Sequence, residues 1–332
     1  MIRPHSGSVL VTGGTGFVGS HLVELLLRRG LSVTCLVRDP AELRWLTGMK
    51  VRVVRGDCCD PASLVPAVQG HAIIFHVAGL TKALRAREYY VVNRTGTENL
   101  LAACAQHNRD LRKFILVSSL AAAGPSPDGR PVTDRDPARP VSDYGRSKRE
   151  AEQIALQYRE RFSVVILRPA AVYGPRDRDM YELFRWAAKG LTLEIAGGER
   201  FVSLCYVEDL AEALLRAAER EVASGSIYFV AEEKAYSWSE FRQVLLATGA
   251  VKAKNIKVPY QAAYLIGLVS EAASLLRGKA LISNRQKVRE ASQKYWVCDT
   301  ETAARDLGFK AKISLKKGLE VTWKWYRERG WL

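Results

Sequence analysis

A chain of 332 residues with 48% hydrophobic and 26% charged content has core enough for one large domain or two lobes, and its composition is that of an ordinary soluble protein. No apolar run reaches the roughly 18 residues of a membrane span, and Met1 to Ser8 lacks the apolar stretch of a secretory leader. The net charge is +15, with 17 Lys or Arg against 7 Asp or Glu from residue 251 onward, but no nucleic-acid motif accompanies it; a solvated basic surface is expected, and no nucleic-acid partner. The six cysteines are scattered without a C-x-x-C pair, which predicts reduced thiols in a cytoplasmic protein and neither a disulfide framework nor a metal site.

Val9, Leu10 and Val11 read as a buried strand. Gly13, Gly16 and Gly19 follow at three-residue spacing, and helical periodicity begins with Val18, Leu22, Leu25 and Leu26. Glycines between a strand and a helix N-terminus let backbone N–H groups approach a pyrophosphate, whose charge the helix dipole favours. The second strand, Val33 to Val37, ends without the acid that usually holds the adenosine ribose. Arg38 follows, a partner for a 2′-phosphate, so the pattern predicts NADP, with NAD as the alternative.

Val51 to Val54 is a third strand leading into Gly56-Asp57-Cys58-Cys59-Asp60. Asp57 is placed to reach an adenine amino group, and Asp60 to cap a helix beginning at Pro61. Ala72 to Val77 is a fourth strand, with His76 read as structural. Tyr90 to Cys104 reads as a helix carrying Asn93, and Phe114 to Val117 as a fifth strand ending in Ser118-Ser119. Gly124 to Pro140 is a Pro- and Asp-rich loop. Ser142 or Asp143 caps a helix running to about Arg161, and Val164 to Leu167 is a sixth strand stopped by Pro169.

Strand–helix alternation from 9 to 169 predicts an α/β fold, a doubly wound parallel sheet with ligand at the carboxyl ends of its strands. Residues 1–170 form this dinucleotide-binding unit, with 204–232, including strands at Leu204 to Val207 and Ile227 to Val230, returning to it. Residues 171–203 and 233–332 form a smaller, mainly helical substrate lobe. Val258 to Leu276 is the longest apolar helical stretch of that lobe; it reads as core or pocket wall, with a weak peripheral membrane contact as the lesser alternative.

Tyr144 and Lys148 stand one helical turn apart, and Ser119 ends a strand. A Tyr can exchange a proton beside a hydride path, a neighbouring ammonium favours its phenolate, and a Ser hydroxyl can hold the substrate oxygen. With the segments TGGTGFVG (12–19), GDCCD (56–60), HVAG (76–79), VNRTGTENLL (92–101), LVSSLAAAG (116–124), YGRSK (144–148), LRPAAVYGP (167–175) and YVEDLA (206–211), the chain resembles the extended short-chain dehydrogenase/reductases, or NAD-dependent epimerase/dehydratase superfamily. The VRDP segment (37–40) is similar to the branch holding dihydroflavonol reductases and 3β-hydroxysteroid dehydrogenases.

The resemblance implies Ser119, Tyr144 and Lys148 as the catalytic triad, with Lys148 also on the nicotinamide ribose. Pro169 and Val172 would line the nicotinamide, and the matched segments place Thr15, Phe17, Val18, Cys58, Val77, Ala78, Gly79, Asn93 and Ser118 along the cofactor. It implies a homodimer through the helices around 92–105 and 143–160, where Leu100, Leu101, Ile154 and Tyr158 are candidates to face outward. Ala171 stands where nucleotide-sugar members carry Asn, and Val202-Ser203 where they carry Arg-Asp. A ketone/alcohol oxidoreductase acting on a bulky, largely apolar small molecule in an apolar pocket is therefore expected. A nucleotide-sugar epimerase or dehydratase with bound NAD is the alternative, with Arg176, Arg178 and Arg200 able to rebuild a diphosphate clamp. A non-catalytic cofactor-binding subunit is the second alternative.

Overall fold

The structure is a computed structural model and describes residues 8–277 and 284–332. In chain order the N-terminal half comprises β1 (Ser8–Thr12), α1 (Phe17–Arg28), β2 (Val33–Val37), β3 (Arg52–Arg55), α2 (Pro61–Val68), β4 (His71–His76), α3 (Ala86–Tyr89), α4 (Gly96–His107), β5 (Lys113–Val117), α5 (Leu120–Ala123), α6 (Asp143–Gln157) and β6 (Ser163–Pro169). There follow β7 (Ala171–Tyr173), α7 (Tyr181–Ala188), β8 (Leu191–Ile195), β9 (Phe201–Tyr206), α8 (Val207–Glu219), β10 (Ser226–Val230), β11 (Ala235–Ser237), α9 (Trp238–Gly249), β12 (Lys254–Val258), α10 (Tyr260–Arg277), α11 (Arg285–Ser292), β13 (Tyr295–Trp296), α12 (Glu301–Leu307) and α13 (Leu315–Glu328).

Seven strands form one parallel sheet in the order β10-β6-β5-β4-β1-β2-β3. The order reverses between β1 and β4, so the crevice for a ligand opens at their carboxyl ends. Helices cover both faces, which is why β1 is apolar at successive positions: Val9 and Val11 join one core cluster and Leu10 the other. A third core, built on Phe184, Tyr206, Phe241, Trp323 and Tyr326, holds the C-terminal lobe.

The structure departs from the sequence expectation in three places. Only β10 returns to the main sheet. The strand expected at Leu204 to Val207 is β9, which pairs with β7, β11 and β13 in a separate four-stranded sheet, while α8 after it packs back against α1. A β-rich hexapeptide fits either sheet, and its pairing with β7 through Ala171, Val172 and Tyr173 decides the matter. The helix expected over Tyr90 to Cys104 opens as a π-helical turn over Tyr90–Thr95 before α4. Finally, α10 is neither core nor pocket wall along its outer face, where Leu265, Ile266, Leu268 and Val269 are exposed.

Candidate active site

The glycine turn is shaped by close approach. Gly13 has φ +73°, and a Cβ there would lie 2.6 Å from the Ala78 nitrogen; one on Gly19 would lie 2.1 Å from the Gly13 oxygen. The ends of β1 and β4 therefore touch. Helix α1 starts at Gly16, with no side chain capping it and no acid in its first turn, so its leading N–H groups point into the crevice. A dinucleotide pyrophosphate fits this cradle, and Gly13, Thr15, Gly16, Phe17, Val18 and Gly19 are the residues that would hold it. Thr12 accepts from the Ala78 N–H at 3.2 Å and is bonded to His76 at 2.7 Å; the far nitrogen of His76 meets Thr97 at 2.9 Å. Burial pushes His76 down to about 3, so it is a neutral, structural histidine.

The next strand ends bring in the rest. Arg38 is exposed at the end of β2 and acts electrostatically on Cys58 and Cys59, so it borders the turn after β3. In that turn the Asp57 carboxylate accepts from the Cys59 N–H at 2.9 Å, while Asp60 caps α2 through the Ala62 N–H at 3.2 Å. Burial raises the Cys58 thiol to about 12, which makes it inert packing rather than a nucleophile. Val77 follows β4 and donates its N–H to Thr12 at 3.2 Å. A Cβ on Gly79 would lie 3.3 Å from Asn93 Oδ1 and 3.5 Å from Lys148 Nζ, which fixes these three residues side by side. Asn93 is buried: Oδ1 accepts from the Leu80 N–H at 2.7 Å, and Nδ2 donates to Ser147 at 2.9 Å. The π turn carries it to this spot.

Ser118 and Ser119 end β5. Ser119 opens α5, taking the Ala121 N–H at 3.1 Å, and its hydroxyl hydrogen-bonds the Tyr144 phenol. Ser142 caps α6 through the Gly145 N–H at 3.1 Å, so Tyr144 stands in the first turn and Lys148 one turn on. Lys148 Nζ donates to the Val117 carbonyl at 2.6 Å; burial pulls its ammonium down to about 8 while Glu152 works against that shift. Burial also raises the Tyr144 phenol, opposed by the Ser119 hydrogen bond and then by the charge of Lys287. The cation over the Tyr144 ring is thus Lys287, at 5.3 Å from the ring centre, rather than Lys148.

Beneath the site lies a buried ion pair. Glu152 receives Arg168 Nε at 2.8 Å and Nη2 at 2.7 Å, the Ser118 hydroxyl at 2.5 Å and Arg149 at 3.0 Å. Pro169 ends β6 next to this pair, and Val172 lies on β7 opposite Cys205.

Helix α11 closes the other side. Gln286 exchanges hydrogen bonds with Asp143 at 2.6 Å, and Glu290 accepts from Ser142 at 2.5 Å and pairs with Lys287 at 2.9 Å. Asp179, paired with Lys82, also acts on Tyr144. Tyr144 thus stands beside the Tyr89 ring, 6.0 Å between ring centres, and near two self-neutralising charge pairs, Lys287–Glu290 and Lys82–Asp179. Sequence reasoning missed Lys287 and Glu290, because nothing in NRQKVRE distinguishes them from a solvated charge run.

The expected outward residues turn inward. Leu100, Leu101 and Ile154 are buried in the core beneath the sheet, with Tyr158 packed against it, so they form no face for a second copy. The three arginines considered for a diphosphate clamp are engaged within the protein. Arg176 pairs with Glu24 and donates to Ser20 at 3.1 Å, Arg178 lies over Trp331, and Arg200 donates to the carbonyls of Ile195, Ala196, Gly198 and Ser292.

Residues 9–231 match the NAD-dependent epimerase/dehydratase family, and the chain belongs to it. The chain is 32% identical to the ceramide reductase of Caulobacter vibrioides, over 98% of this chain and 96% of that protein. It is 28% identical to the sterol-4-alpha-carboxylate 3-dehydrogenase of Candida albicans, over 97% and 98% of the respective chains. Among solved structures, MoeE5 in complex with UDP-glucose and NAD superposes with a TM-score of 0.78 at 27% identity, over 97% of this chain and 99% of that one. Relatives named as reductases and dehydrogenases make the chain an enzyme of the extended short-chain dehydrogenase/reductase type.

Proposed function

We propose that the protein is an NADP-dependent oxidoreductase that interconverts a ketone and a secondary alcohol on a bulky, largely apolar molecule. The observation that carries this reading is the junction of Ser119, Tyr144 and Lys148 beside the glycine cradle, reached through Gly79 and Asn93. When bound, the nicotinamide supplies or accepts the hydride. Tyr144 gives its phenolic proton to the forming alkoxide, or removes it in reverse, and Ser119 orients the substrate oxygen toward it. Lys148, held by the Val117 carbonyl, is placed to grip the ribose, and Lys287 supplies positive charge at the phenol. Arg38 is the partner for a 2′-phosphate, so NADPH should bind more tightly than NADH, and Arg38→Ala should remove most of that difference.

The likeness to MoeE5 supports a second reading, a nucleotide-sugar enzyme that retains NAD. Against it stand Ala171 and the engagement of Arg176, Arg178 and Arg200, since burying a diphosphate without cationic partners is costly. A homodimer rests on the family resemblance alone, and a cytoplasmic location on the six free thiols. The decisive experiment is NADPH oxidation with bulky ketones: Tyr144→Phe should lower turnover by about 100-fold or more while leaving dinucleotide binding intact. No oxidation with any such ketone, together with micromolar binding of UDP, would promote the second reading.

A further inference from the structure

The outer face of α10 carries the wrong polarity for a helix in water. Leu265 and Val269 are 59% and 62% exposed, and with Ile266 and Leu268 they form one continuous apolar surface. At 100° per residue these four positions span a single side of the helix. The side that packs on the protein is small or polar instead. A Cβ on Gly267 would meet the backbone of Arg285 at 3.0 Å, Ser274 is buried, and Glu271 takes the Arg285 N–H at 3.0 Å and its Nε at 2.6 Å. An ordinary surface helix buries its apolar stripe and shows its charges. This one is inverted, and Glu271, the acid within it, is turned inward.

The surroundings say what covers it. The strand leading into α10 shows Lys254 and Lys257 to solvent, and Arg289 is exposed on the helix that follows. With the excess of Lys and Arg after residue 251, the elements that flank α10 in the chain are cationic, and an apolar helix face in a basic segment matches acidic headgroups at the edge of a hydrocarbon layer. No helix among the described residues is long and apolar enough to cross a membrane. We infer that α10 lies in the interface of an anionic phospholipid bilayer, with Leu265, Ile266, Leu268 and Val269 among the upper acyl carbons.

The docked helix is mechanically joined to the site. Gly267 and Glu271 hold the first residue of α11, and the next residues hold the start of α6: Gln286 on Asp143, Lys287 over Tyr144, Glu290 on Ser142. A groove of about 230 Å³ lies between α10, α11 and the start of α6. The docked helix is thus linked through α11 to the turn of α6 that carries Tyr144. That an apolar substrate reaches Tyr144 from the lipid rests on the oxidoreductase reading; the docking itself does not.

The test is flotation of the full chain with phosphatidylcholine vesicles containing roughly a third phosphatidylglycerol. The wild type should float, and less so with pure phosphatidylcholine or at high salt. Leu265→Glu/Val269→Glu should cut the floated fraction about tenfold or more while keeping the wild-type melting temperature. No turnover is needed, so the result is judged apart from the oxidoreductase reading. Failure of the wild type to float overturns the proposal, as does equal flotation of the variant. Conversion of a wild-type dimer to monomers by the variant, without vesicle binding by either, assigns the face to a second copy and also overturns it.

Discussion

Helices α1 and α10 are written in nearly the same apolar vocabulary and do opposite things with it. In α1, Leu22, Leu25 and Leu26 vanish under the sheet, and Arg28 in its last turn is exposed. In α10 Leu265, Ile266, Leu268 and Val269 face out, and the protein keeps Gly267, Ser274 and Glu271 for itself. Periodicity shows which residues share a face; it does not show what that face meets. The sheet half buries the charges of Glu152 and Arg168 as a pair, whereas the outer face of α10 exposes apolar groups.

The contrast can be broken most forcefully at Glu152. Glu152→Ala leaves Arg168 buried without its partner and should lower stability by about 3–5 kcal/mol, measured by urea unfolding. The double change Glu152→Met/Arg168→Met should recover much of it. If the single variant is as stable as the wild type, the claim about pairing in the sheet half is wrong. Leu22→Ala should cost about 2–5 kcal/mol, since Leu22 is wholly buried.

Acid should find the sheet half next. Burial lowers His21 to about 4 and His76 to about 3, so both are neutral in the fold and take up protons on unfolding below their ordinary value of 6.5. The unfolded state binds more protons there, so their contribution is complete above pH 6.5 and drains as pH falls toward 4. The slope is about 1.4 kcal/mol per pH unit for each histidine. Urea midpoints that stay level from pH 7 to 5 would contradict this. The smallest effect belongs to α10: Leu265→Ala should change stability by no more than about 0.5 kcal/mol. A loss comparable to that of Leu22→Ala would mean the face is covered by protein.

Much of the sheet half was legible in advance, because its signals are local. A strand, three glycines and a leucine-spaced helix fit one supersecondary unit, and Ser142, Tyr144 and Lys148 declare a capped helix with two candidate positions one turn apart. Asp60 before Pro61 announced its own cap, and His76 its structural role. What stayed hidden depends on distant pairing. The residues of β9 specify a strand but not which sheet receives it. Lys287 is one charge in a charged run until α11 folds over Tyr144. Leu100, Leu101 and Ile154 satisfy the same helical pattern whether they face the sheet or a second copy.

The position of β10 at the edge of the main sheet has a kinetic consequence. β6 waits for its outer neighbour while the chain builds β7, α7, β8, β9 and α8, and only then does Ser226–Val230 align with Val165–Pro169. That pairing is as long-range in sequence as the one between β1 and β4, so it carries a comparable loop-closure cost and comes last in chain order. During synthesis the growing chain must therefore carry an open strand edge on β6 until residue 230 has emerged. That interval is when it is most exposed to strand-edge association with other chains.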